Sequence, residues 1–211
     1  MKPVSIITRI AVWIARMPHS RGFGVLSPSA YRLIRYVVSE HYPYYAYNDL
    51  RKQHADVSCV RLKLCRLYLR LANYAQAAQW LWCGEPGNAE RSYVNSGCSH
   101  TRQSVAYTDS ALPTPDAAQP TVAVIPLSAP DATRRTLALR FVEMADEARR
   151  LSETPHSKTM LVVEGIGHDA PAADTWRQLT ADSRVSVTFD LYYCGIAFFD
   201  SRYKQDYIVN F

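Results

Sequence analysis

Apolar positions along this chain recur with two different periods. Continuous apolar runs at 79–83, 121–125 and 159–163 have strand length and read as buried strands, and 103–108 is a further candidate. Residues 185–189 alternate between apolar and polar, 195–199 follows within hairpin distance, and 207–211 alternates again. Between these runs the spacing is helical. Residues 89–95 form one helix, with Asn88 placed to cap it. Residues 131–151 form a second, opened by the capping-box spacing of Ser128 and Asp131, with Leu137, Phe141, Met144, Ala145 and Ala148 inward. Residues 171–181 form a third. Strand and helix alternate and a hairpin closes the chain. That order predicts an α/β fold: a Rossmann-like, mostly parallel sheet flanked by helices, with an antiparallel C-terminal hairpin.

Ahead of the first strand the period is helical throughout. In 3–16, Ile6, Ile7, Ile10 and Ile14 share one face, while Lys2, Arg9 and Arg16 recur at seven-residue intervals on another. Such a helix docks on its own domain or on a second copy, or it attaches to a membrane surface. Ser27 and Pro28 open the next helix, which runs to about residue 41 with Tyr31, Ile34, Val37 and Val38 on one face. Four tyrosines at 42–47 then surround Pro43 and read as packing of a proline-broken loop, with stacking on bases as the alternative. In 57–75 a stripe of Val60, Leu64, Leu67 and Leu71 faces inward. Arg61, Lys63, Arg66 and Arg70 spread around the remainder, as a solvated basic face or a nucleic-acid contact. Residues 1–56 thus read as an N-terminal helical extension and 57–211 as the α/β domain.

Composition narrows the picture modestly. A chain of 211 residues with 48% hydrophobic content buries a substantial core. A net charge of +5 permits an anionic partner without requiring one. Five cysteines, at 59, 65, 83, 98 and 194, lack the spacing of a zinc or redox motif and read as buried free thiols in a reducing, cytoplasmic setting. Arg9 interrupts the first apolar run, so a signal peptide is not expected, and no stretch has the length of a membrane span. Residues 110–120, with three prolines, read as a loop.

The chemistry concentrates after the first strand. Gly84, Glu85, Pro86 and Gly87 form a sharp turn between strand and helix, the usual place for an anionic or nucleotide-like cofactor. Pro86 removes one N–H donor from that turn. Gly84, Glu85 and Gly87 are its candidate cofactor residues.

Four stretches carry a family resemblance. Residues 184–190 (RVSVTFD), 194–199 (CGIAFF) and 207–211 (YIVNF) resemble the C-terminal end of small bacterial class I S-adenosylmethionine-dependent methyltransferases. Residues 23–29 (FGVLSPS) are similar to the family's His-Gly-x-His-Ser-Pro-Phe run, with both histidines replaced. The resemblance implies an S-adenosylmethionine cofactor and a methyl acceptor. It places Gly84 as the first loop glycine and Asp109 either on the ribose hydroxyls or as an exposed strand-end acid. It also shows erosion. Trp82 stands where an acid is expected, Pro126 replaces an acid after the strand at 121–125, and Gly165 replaces one of two acids after the strand at 159–163. Glu164 keeps the other, with His168 and Asp169 close behind. Glu164 and His168 are therefore the candidate catalytic residues, His168 as a general base. Glu164 and Asp169 alone are too few oxygens for a metal site. The expectation is a methyltransferase-like protein with an eroded cofactor loop, weakly active or serving as a binding module. An active methyltransferase of unknown acceptor and a basic adaptor for nucleic acid or a membrane surface are the alternatives.

Overall fold

The computed structural model describes residues 5–22, 24–40, 42–107, 119–151 and 158–211. Its centre is a seven-stranded sheet. The strands are β1 (Gln79–Trp82), β2 (Arg102–Val105), β3 (Thr121–Ile125), β4 (Met160–Glu164), β5 (Val187–Asp190), β6 (Cys194–Phe198) and β7 (Gln205–Ile208). Their order is β2-β1-β3-β4-β6-β5-β7. The first four run parallel. β6 is antiparallel to both β4 and β5, forming the hairpin, and β7 returns parallel to β5 at the edge.

The fully apolar strands are buried on both faces, as a parallel sheet requires. Alternate side chains point to opposite layers. Trp80, Trp82, Val122, Val124, Met160 and Val162 join the core beneath α2 (Pro28–Leu33), its π-helical continuation Ile34–Val38 and α4 (Cys59–Ala75). Leu81, Ala123, Ile125, Leu161 and Val163 join the opposite core, formed with α6 (Asp131–Leu151) and α7 (Ala170–Ala181). Phe141 and Phe199 meet edge-on there, with ring centroids 5.6 Å apart. The segment 28–38 contributes Ala30, Leu33, Ile34, Val37 and Val38 to the same core as the strands.

Local chemistry sets the helix ends. The Ser27 and Ser58 hydroxyls accept from the N–H groups of Ala30 and Arg61, capping α2 and α4. α4 stops at Gln76, whose left-handed backbone (φ 49°) turns the chain into β1. Leu64, Leu67, Tyr68 and Leu71 of α4 face the sheet, while Cys65 and Leu69 face α5 (Asn88–Gly97) and Leu50 of α3 (Ala46–Gln53). α1 (Ile6–Ala15) stands apart and buries none of its residues.

Several expectations are corrected. Gly87, not Asn88, occupies the cap position of α5, without a side-chain cap bond. α3 was not expected: its apolar content is too sparse to show a period. The hairpin strands begin or end one or two residues from their expected limits, and the last strand is Gln205–Ile208 rather than 207–211. Four of the five free cysteines are buried, but Cys59 at the start of α4 is exposed.

α4 and α5 approach most closely at Gly97. A Cβ there would run into the Leu69 carbonyl and meet the Ala72 Cβ at 3.0 Å. Gly97→Ala is expected to lose about 1–3 kcal/mol of stability by forcing the helices apart, read as a lower urea midpoint with unchanged slope.

Candidate functional site

In an open α/β sheet the ligand crevice lies at the C-terminal ends of two strands whose connections leave in opposite directions. Here that point lies between β1 and β3, since the chain passes from β1 outward to β2 and returns to the other side of β1 at β3. Gly84 follows β1 with φ +135°, a backbone conformation that favours glycine. A Cβ on it would meet Pro126 Cγ at 3.2 Å and Ala129 Cβ at 3.7 Å. The loop after β3 therefore packs against the glycine turn at this point.

Two buried charges pin that loop. Glu164, at the end of β4, is 2% exposed. Its Oε2 accepts from the Leu127 N–H at 2.9 Å. Its Oε1 accepts from Arg61 Nη1 at 2.5 Å and from the Tyr68 hydroxyl. Burial alone would lower the Arg61 guanidinium, but the Glu164 charge outweighs it and holds the group above its ordinary value. Burial, reinforced by Glu164, pushes the Tyr68 hydroxyl well above its own ordinary value, so it remains a donor. Arg61 also reaches Glu90 Oε1 on α5 at 3.3 Å.

The second pin is Arg134 of α6, also 2% exposed. It donates to the carbonyls of Leu127 (3.0 Å) and Ala129 (3.1 Å) and pairs with Asp169 Oδ2 at 2.7 Å. Asp169 in turn caps α7 by accepting from the Ala172 N–H. Gly165 has φ +83°, and a Cβ there would lie 2.5 Å from Leu127 Cδ1. The position is closed to any acidic side chain by the loop.

The candidate cofactor residues are likewise engaged. Glu85 accepts from the Tyr107 hydroxyl at 2.7 Å and from Arg91 Nη2 at 3.3 Å. The Tyr107 bond holds its carboxyl below the ordinary value. Gly87 lies under the Glu90 carboxylate, which would clash with any Cβ there. Glu90 thus places a negative charge in the first turn of α5, where the helix dipole would otherwise attract an external anion. Trp82 is fully buried in the core, bonded through Nε1 to Gln103 Oε1 at 2.8 Å, with its ring centroid 5.6 Å from that of Tyr68. Asp109 lies outside the described residues.

His168 is brought close to Glu164 in the chain but has a different environment. Both ring nitrogens are buried without a hydrogen-bond partner. Its ring centroid lies 6.1 Å from Tyr192 and 6.3 Å from Tyr193. Burial pushes it below its ordinary value against the pull of Asp169 and Glu164. No hydrogen bond joins it to Glu164, so the two candidate catalytic residues do not form an acid–base pair.

Beside this closed centre a cavity of about 760 Å³ opens between α5 and the segment after α3, lined by His54, Asp56, Arg61, Asn88 and Glu90 among others. Sequence reasoning passed over Arg61, Tyr68, Glu90 and Arg134. Their partners lie on other elements, and no local spacing announces them. Among the described residues no group of three His, Cys, Asp or Glu side chains is placed to hold a metal. No protein-family model matches the chain, and no curated protein matches it either.

Two outcomes are expected. Glu164→Gln puts an amide donor against donors that all require an acceptor and leaves Arg61 short of a charge. It should cost about 3–5 kcal/mol of stability, seen in chemical denaturation, whereas a purely catalytic residue would leave stability intact. For His168, the unfolded chain takes up the proton first. Its contribution is complete above about pH 6.5 and is lost as the pH falls from there toward the depressed folded-state value. Wild type should therefore lose more stability than His168→Phe on moving from about pH 7.5 to about pH 5.5.

Proposed function

We propose that this protein is a methyltransferase-like α/β module that has given up cofactor chemistry and serves as a binding module for a protein partner. The observation that carries the reading is the loop 126–129, seated against Gly84 at the switch point. It is held there by Glu164 and Arg134. A cofactor lying across β1 and β3 would have to displace this loop and break at least three hydrogen bonds to buried charges. Bonds to charged groups contribute about 1.5–3 kcal/mol each, so the displacement would consume most of the binding energy of a micromolar ligand.

The residues that resemble the family's site support the same reading. Glu164 spends both carboxylate oxygens on Arg61, Tyr68 and Leu127, leaving it unsuited to orient a methyl acceptor. Glu85 is tied to Tyr107 and Arg91. The α5 N-terminus carries its own carboxylate. The open cavity beside α5 remains as concave surface for a partner's side chains.

Calorimetric titration with S-adenosylmethionine and with S-adenosylhomocysteine tests this directly. No heat of binding is expected up to millimolar ligand. Micromolar binding of either compound would overturn the reading and make this a methyltransferase whose loop opens on cofactor entry.

A further inference from the structure

A cluster of exposed apolar side chains lies on α1. Ile6 (71%), Ile7 (81%), Ile10 (54%), Trp13 (55%) and Ile14 (57%) stand in solvent, followed by Met17 (48%). At 100° per residue, Trp13, Ile6, Ile10, Ile14 and Ile7 cover an arc of about 120°. Clusters of this kind mark an interaction site rather than ordinary surface. The helix is well formed in spite of its exposure: the Ser5 hydroxyl accepts from the Thr8 N–H and caps it. It is tethered at its C-terminal end. There Arg16 bonds to Asp190, and Asn210 donates to the Trp13 carbonyl.

Charge decides what covers this face. The chain contains six Lys and Arg residues and no Asp or Glu before Glu40. Arg9 flanks the apolar arc, and among the described residues no carboxylate pairs with it. Trp13 also borders a cavity of about 900 Å³ that holds Lys63 and Arg66. Among the described residues neither forms an ion pair with a carboxylate. Lys63 rests 4.5 Å from the centroid of the Phe211 ring, and Arg66 Nε is buried without an acceptor. Burial, with Arg9 and Arg70 nearby, pushes Lys63 down to about 8. Arg9, Lys63 and Arg66 thus gather near the base of an apolar helix, and Glu40 also lines the cavity that holds Lys63 and Arg66.

We propose that α1 lies on an anionic lipid surface, its isoleucine face in the headgroup–acyl boundary and Arg9 among the headgroups. Isoleucine and tryptophan on one face and arginine beside them are the chemistry of an interfacial helix. No helix among the described residues is long and apolar enough to cross a membrane, so the attachment lies on the surface. A second copy fits less well. Face-to-face pairing would bring Arg9 toward its own copy. This inference does not depend on the fate of the cofactor crevice.

The test is co-sedimentation of the full chain with vesicles of phosphatidylcholine alone and of phosphatidylcholine with phosphatidylglycerol. Binding is expected to the anionic vesicles only and to weaken steeply as salt rises. Arg9→Glu should weaken it about tenfold. Ile10→Asp with Ile14→Asp should weaken it about a hundredfold or more, without changing the melting temperature, because both side chains are already in water. Failure to pellet with anionic vesicles overturns the proposal, as does undiminished pelleting of the double variant. Dimerisation in sedimentation equilibrium that the double variant abolishes, with no vesicle binding by wild type, would assign the face to a second copy instead.

Discussion

Everything at the C-terminal edge of the sheet depends on how one buried carboxylate is satisfied. Glu164 ends β4 in a fully apolar strand, where an unpaired charge would cost several kcal/mol. Three donors meet it, from two parts of the fold: Arg61 and Tyr68 from the first and third turns of α4, Leu127 from the loop after β3. The charge therefore fixes the height of α4 over the sheet and the path of the loop together. Arg61 extends the connection to Glu90, so α5 is drawn into the same network. Removing the carboxylate would unsettle all three elements.

The consequence is a closed switch point. Crevices of this kind are open in ligand-binding α/β proteins because small residues line them and the loops turn outward. Here the glycines remain, but they accommodate the protein's own atoms. Gly84 admits Pro126 and Ala129, Gly165 admits Leu127, and Gly87 admits Glu90. The same positions that look eroded in the sequence are thus filled in the structure. Pro126 packs against Gly84, and Trp82 is a core side chain packed against Tyr68 and Trp80. Arg134 completes the closure from the opposite layer, where it joins the loop to the cap of α7.

The sheet was legible in the sequence because burial on both faces writes itself as continuous apolar runs. Residues 121–125 and 160–164 leave no other comfortable reading. The helix start at Ser27 was legible for a similarly local reason, a hydroxyl placed three residues ahead of an orphan N–H, whereas the same device at Ser58 went unread. What was hidden is non-local. Arg61 and Glu164 are 103 positions apart, and as a single letter in a Leu- and Arg-rich helix Arg61 reads as solvated surface. Glu164 and His168 invited a catalytic reading because they are neighbours in sequence. Only the three-dimensional arrangement separates a carboxylate with every oxygen bonded from an imidazole with neither nitrogen bonded.

The distribution of unsatisfied chemistry has moved outward. Inside, the carboxylates near the crevice are paired, and their energy goes into holding the fold. Outside, α1 leaves a row of isoleucines in water, and Lys63 and Arg66 hold their charges against rings rather than acids. A protein of ordinary stability gains nothing by leaving such groups uncovered, since each exposed apolar side chain forgoes about 1.5–3 kcal/mol of burial. That forgone energy becomes available when an external surface covers the helix. In this chain the uncovered apolar surface lies on the N-terminal helix near basic neighbours, while the loop after β3 packs against the glycine turn at the edge where an α/β fold usually does chemistry.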